Sequence, residues 1–207
     1  MKLKPILSIA IATLMIISCV KHEVIPAPTP TVTLKSKFTG TIGGVAFSFN
    51  EGVNGYTCTS PNFKTTAPST EIFYSNIAST TNPLTTPSIK IGLGTLSTST
   101  DPSIAEFNSF FTSTANLNPN YSADCVNGFE VQYTTAAGAI YKSNPNQTTG
   151  LTVTFGTITQ ESDASGDYSK FVCQFNCKVG WSSGTAPNIG EDSIQITNGY
   201  FKGWFKK

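Results

Sequence analysis

From Phe38 to Phe49 the chain alternates large apolar residues with small or polar ones on both sides of a Gly43-Gly44 pair. Two alternating runs separated by two glycines predict a β-hairpin with a two-residue turn, because both turn positions need positive φ. Such a turn pairs Ile42 with Val45, Gly40 with Phe47 and Phe38 with Phe49, which gathers the large side chains on one face. Further strands are expected at Glu71 to Ser75, Ser88 to Leu93, Gly128 to Thr134, Ala139 to Lys142, Leu151 to Thr159 and Lys170 to Gly180, separated by turn residues. In the last of these, Phe171, Cys173, Phe175, Cys177 and Val179 form the buried face, and Lys170, Val172, Gln174, Asn176 and Lys178 the other. One helix is expected over about 102–112: Asp101 caps it, Pro102 takes its first position, and Ile104, Phe107 and Phe111 recur on one side. It should pack on a sheet or plug an open end. Near the C-terminus, Asn198-Gly199 interrupts the alternation between Ser193 and Phe205. A hairpin there is the preferred reading, because Asn-Gly is so strong a turn pair, and a β-bulge would restore the phase equally. Many short strands, one helix and no β/α alternation give an all-β fold, an antiparallel β-sandwich with a flattened β-barrel as the alternative.

The N-terminus follows another pattern. Met1-Lys2-Leu3-Lys4 precedes an apolar run from Ile6 to Ile17, the make-up of a secretory signal peptide. The run is short for a membrane span, which needs about 20 residues. Ile16-Ile17-Ser18-Cys19 resembles the bacterial lipobox, in which the cysteine is acylated and becomes the new N-terminus. The expected organisation is a lipoprotein signal peptide at 1–18, a lipid-anchored Pro/Thr-rich tether at 19–34 and a single β-domain at 35–207. Prolines 26, 28 and 30 favour an extended polyproline spacer. His22, the sole histidine, falls in it.

Composition narrows the partners. The 13 lysines include Lys2 and Lys4, so the processed chain keeps 11 against 12 acids, a net charge near −1. Arginine is absent, and with it the planar fork that favours bidentate phosphate recognition. Nucleic acid is not an expected partner. Once Cys19 is assigned to lipid, Cys58, Cys125, Cys173 and Cys177 remain, an even number in an oxidising compartment. Cys173 and Cys177 lie about 13 Å apart on one strand, too far to bridge each other. Two disulfides would therefore give each of them to Cys58 or Cys125 in either order. The alternative is four reduced cysteines serving as small buried hydrophobes.

The sequence of lipobox, Pro/Thr spacer, FTGTIGGVAFSF, DPSIAEFNSFFT, NGFEVQYTTAAGAIYKS, FVCQFNCKVGW and IQITNGYFKGWF resembles short lipoproteins of uncharacterised function from Bacteroidetes. The resemblance implies the architecture and an outer-membrane location, and it carries no catalytic motif. Its surface-exported members tend to have acids just after the lipidated cysteine; here Val20-Lys21-His22-Glu23 has one acid and one lysine. The resemblance therefore does not choose between the periplasmic side and the surface.

Candidate chemistry is sparse. The expected domain has no histidine to serve as a base or metal ligand, and no cofactor or metal is expected. The run Glu161-Ser-Asp163-Ala-Ser165-Gly-Asp167 holds the oxygens a calcium loop uses but lacks the twelve-residue spacing and closing glutamate; it reads as a solvated hairpin loop. Aromatic residues give the better lead. With Phe201 and Phe205 in the core, Tyr200, Lys202 and Trp204 share the opposite face, where flat rings can stack on the apolar face of a sugar. The expected function is a lipid-anchored envelope protein, not an enzyme, acting as a binding or structural module for a glycan or protein, with the membrane as partner through Cys19. The alternative is a glycan-directed hydrolase built on a carboxylate pair.

Overall fold

The computed structural model describes residues 29–66, 69–143, 151–181 and 193–207. The expected signal peptide, Cys19 and His22 lie outside the described residues. The first strands are β1 (Lys37–Ile42), β2 (Val45–Asn50), β3 (Tyr56–Thr59), β4 (Asn62–Thr66), β5 (Ser69–Ser79) and β6 (Ser88–Thr98). Helices α1 (Ile104–Thr112) and α2 (Thr114–Leu117) and a 3-10 turn at Ala123–Cys125 follow. The chain then returns to strands β7 (Gly128–Thr134), β8 (Ile140–Ser143), β9 (Val153–Asp163), β10 (Gly166–Trp181) and β11 (Ser193–Lys206).

All eleven strands join one sheet in the order β2-β1-β11-β10-β8-β7-β6-β5-β3, with β4 on β5 and β9 on β10. Every strand pairing is antiparallel. The sheet curls until its ends meet. The tight loop from β2 to β3 is held by Gly52 N donating to Tyr56 O at 2.8 Å, and Phe49 stacks on Tyr56 with centroids 4.9 Å apart. The result is a flattened, nearly closed barrel, whose walls approach until Gly203 of β11 sits against Ser75 of β5. An all-β antiparallel fold with one short helix is thus what the alternation predicted, and the flattened barrel describes its connectivity.

The first hairpin has the expected register, Ile42 opposite Val45, Gly40 opposite Phe47 and Phe38 opposite Phe49. Gly43 and Gly44 both have positive φ. Helix α1 carries the expected apolar residues, with Phe107 and Phe111 buried, but Ile104 stays half exposed. Its cap is Ser103, not Asp101. Ser103 Oγ accepts from Glu106 N at 3.2 Å, while Glu106 Oε2 accepts from Ser103 N at 2.7 Å. This capping box satisfies two orphan amides at once, and Asp101 pairs with Lys64 instead.

At Asn198-Gly199 the expected hairpin does not form. Strand β11 runs straight through, and the register with β10 jumps from Phe175–Gly199 to Cys177–Ile196. This is the bulge reading. Asn198 adopts φ 53° and its N–H donates to Asn176 Oδ1 at 2.8 Å. The inserted residue lets Ile196 and Phe201, an odd number of positions apart, both face the core. A turn would have stripped β11 of its two neighbours, β1 and β10, which pair with it on either side of the bulge.

The expected disulfides are absent: Cys58, Cys125, Cys173 and Cys177 are free thiols. Cys173 and Cys177 belong to the core on the inner face of β10, and Cys58 packs at its margin beside Ser75 of β5, Sγ to Oγ 3.5 Å. Cys125 is on the far side of the wall, fitted over Gly92 of β6. The sheet itself separates it from the others, so the reduced, small-hydrophobe alternative describes these residues.

Candidate functional site

Strand pairing lays out the exposed face of β1, β11, β10 and β9 in rows. Lys37 is opposite Lys202, Lys202 opposite Val172, and Val172 opposite Gly156. Along the next row run Thr39, Tyr200, Gln174 and Thr154. Trp204, Lys170 and Thr159 form a third. Tyr200, Lys202 and Trp204 therefore do share the outer face, with Phe201 and Phe205 fully buried behind them.

The three are not equivalent. Trp204 is half-buried and meets Tyr168 edge-to-face at 5.6 Å, and its Nε1 is buried without a partner. Its ring is spent on closing the end of the sheet. Tyr200 is also half-buried but lines a cleft of about 260 Å³ with Gln174, Asn176 and Asn198. Lys202 lines a second cleft, of about 310 Å³, with Thr33, Lys35, Thr157, Thr159 and Lys170. Threonine 33 and Lys35 come from the chain before β1, which lies across this face: Val32 N donates to Asp163 Oδ2 at 2.8 Å. The residues expected to belong to the tether are, from Thr29 onward, part of the described structure.

The acidic loop is the clamp for that segment. Asp163 Oδ1 accepts from Ser165 N and Ser165 Oγ at 2.7 and 2.5 Å, and Asp167 Oδ1 accepts from Ser162 Oγ at 2.7 Å. The Ser165 hydroxyl first, and then the Val32 amide, hold the Asp163 carboxyl below its usual range. Its oxygens are turned inward to the loop and the chain it grips.

A second cluster sits on the outer side of β5 to β8, under the 119–127 segment. Glu130 is 4% exposed; its Oε2 accepts from Asp124 N at 2.8 Å and its Oε1 lies 3.8 Å from Lys142 Nζ. Lys142 also meets Asp124 at 2.5 Å, and Lys90 Nζ lies over the Tyr74 ring at 4.9 Å. Burial pushes the Glu130 carboxyl up and the Lys90 ammonium down. It also raises the Cys125 thiol and the Tyr74 hydroxyl. A lysine made less basic by burial beside a thiol is the pairing that nucleophilic catalysis uses. Here the thiol is fully covered, however, and the groups are spent on each other, so the cluster seals the turn to the sheet.

Tyr200, Lys202 and Trp204 lie on the outer face, as the alternation of β11 implied, but their neighbours were missed. The alternation of β10 already assigned Gln174 and Asn176 to the outer face. What it lacked was the cross-strand register that puts Gln174 beside Tyr200. Thr157 and Thr33 had no such signal, since one sits on a bulge and the other in the expected tether.

No family model matches the chain, and neither a curated protein nor a solved structure matches it.

Proposed function

We propose that this chain is a lipid-anchored cell-envelope protein of the outer membrane, tethered through Cys19, whose curled sheet is a non-catalytic glycan-binding module. The observation that carries the reading is the cleft of Tyr200 with Gln174, Asn176 and Asn198. An aromatic ring set among amide side chains offers a sugar an apolar platform and both hydrogen-bond donors and acceptors. The residues lining the two clefts include no carboxylate. Among the described residues the two buried acids are engaged elsewhere, Glu71 with Lys64 at 3.1 Å and Glu130 in the cluster described above. A hydrolase would need a facing carboxylate pair beside its substrate, so the binding role is favoured over the enzymatic one.

The test is affinity electrophoresis of the full chain through gels containing soluble polysaccharides, comparing wild type with Tyr200→Ala. Tyr200 is half-buried on the outer face, so its truncation leaves the core intact. Retardation by at least one polysaccharide, weakened in Tyr200→Ala, supports the reading. Equal retardation of both proteins, or none by any polysaccharide, defeats it.

A further inference from the structure

The second cleft differs in charge from the first. Lys35, Lys170 and Lys202 line it together with the hydroxyls of Thr33, Thr157 and Thr159. Lys37 stands directly opposite Lys202 across β1 and β11. Like charges opposite one another destabilise a sheet, and among the described residues no acid pairs with Lys35, Lys37 or Lys202. Glu161 takes Lys170 at 2.7 Å and leaves the other lysines uncompensated. The fold gains nothing from this crowding, whereas an anion between the lysines would relieve it.

Backbone geometry points to the same place. Thr157, on the bulge where β9 slips against β10 between Lys170 and Val172, has φ 52°. A β-branched residue in the left-handed region is an outlier, and such strain gathers at binding sites, as bulges do. Beside it, Gly156 opposes Val172, and a Cβ built there would meet nothing within 4 Å. No side chain stands over that position of the sheet. Lys202 and Tyr200 are two positions apart on one face of β11, about 7 Å, so one extended ligand can lie over both clefts.

We propose that this cleft is a subsite for an acidic sugar unit, the carboxylate of a uronic acid or a sulfate ester within a polysaccharide, held by Lys35 and Lys202 with the threonine hydroxyls, beside the Lys170–Glu161 pair. The assignment rests on the glycan reading above and specifies its ligand class. Ammonium groups act as compact point charges with three donors each, and the hydroxyls supply neutral partners for the ring oxygens beside the charged group.

The probes are polygalacturonate and dextran sulfate against neutral dextran, with polyphosphate and phosphatidylglycerol vesicles as anions without sugar, all on the full chain. The expected result is binding to one or both charged polysaccharides that weakens with added salt. It should fall roughly fivefold in Lys202→Ala, the loss of one charge-assisted contact, and be kept by Lys202→Arg and by Lys178→Ala, a lysine at the other end of β10. Tight binding to neutral dextran with no preference for charge overturns the subsite while leaving the glycan reading intact. Equal binding to polyphosphate or to the vesicles overturns the sugar assignment. Failure to bind any polysaccharide removes both proposals.

Discussion

Helix α1 closes the barrel from one side, and Phe111 is the side chain through which it does so. Phe111 is 1% exposed and stacks on Phe205 of β11 with centroids 4.9 Å apart, while meeting Phe73 of β5 at 5.1 Å and Phe107 at 4.9 Å. One ring thus joins opposite walls of the barrel. Phe111→Ala removes a buried ring whose surroundings are themselves rings packed from rigid strands, so the space collapses poorly. The expected cost is about 3–5 kcal/mol, which at about 2–4 °C per kcal/mol lowers the melting temperature by about 6–20 °C. Ile104→Ala, on the same helix but 49% exposed, should cost less than about 1 kcal/mol. Urea titrations followed by tryptophan fluorescence and by circular dichroism give both values. A loss below about 1 kcal/mol for Phe111→Ala, or equal losses for the two variants, would refute the idea that the helix seals the core.

The Glu130 cluster makes two further predictions. Burial raises the folded-state carboxyl above its ordinary value of 4.5, so folding favours the protonated acid. Its stabilising contribution is full below about pH 4.5 and is lost as pH rises through the folded value. The stability of Glu130→Gln relative to wild type should therefore increase from pH 4 to pH 8 in parallel urea titrations, and a flat or falling difference contradicts the burial argument. Gly92→Ala should unseat the turn above it, because its new methyl would run into the Cys125 sulfur and come within 2.7 Å of the Tyr74 ring. We expect a loss of about 1–3 kcal/mol and one additional thiol reacting with Ellman's reagent under native conditions; an unchanged thiol count shows that the turn does not depend on that glycine.

Where the sequence was legible, local chemistry and tertiary demand agreed. Gly43-Gly44 needs positive φ and also lies where the register must turn, so the hairpin could be read outright. Asn198-Gly199 has the same preference, but positive φ suits a bulge as well as a turn. Only the partners on both edges of β11 decide between them, and those partners, β1 and β10, are distant in the chain. The helix cap failed for a smaller reason: Asp101-Pro102 is a good start signal, yet Ser103 with Glu106 three residues on satisfies two amides rather than one. Strands β3 and β4 left no trace because they are short edge strands hydrogen-bonded to β5. Strand β4 is exposed along its whole length, so no apolar period marks it. The disulfide expectation rested on even number and compartment alone, and nothing local could reveal that Cys125 and Cys173 lie on opposite sides of a sheet.

The position of the proposed binding face follows from what covers the rest of the barrel's exterior. On β5 to β8 the turn at Ala123–Cys125 is pinned by Glu130 and Lys142, with Gly92 leaving room for the Cys125 sulfur, so that wall is occupied by the protein itself. On β9 to β11 the Asp163 carboxylate pins the chain at Val32, and Tyr168 with Trp204 fills the end of the sheet beneath. The stretch between, from Gln174 and Tyr200 to Lys202, keeps its polar and aromatic side chains only partly covered, over two clefts. A face meant only to be wetted needs neither a strained threonine nor opposed lysines. The clamp also brings the chain that precedes β1 onto the edge of that face. A polymer bound in the proposed clefts would therefore lie beside that segment.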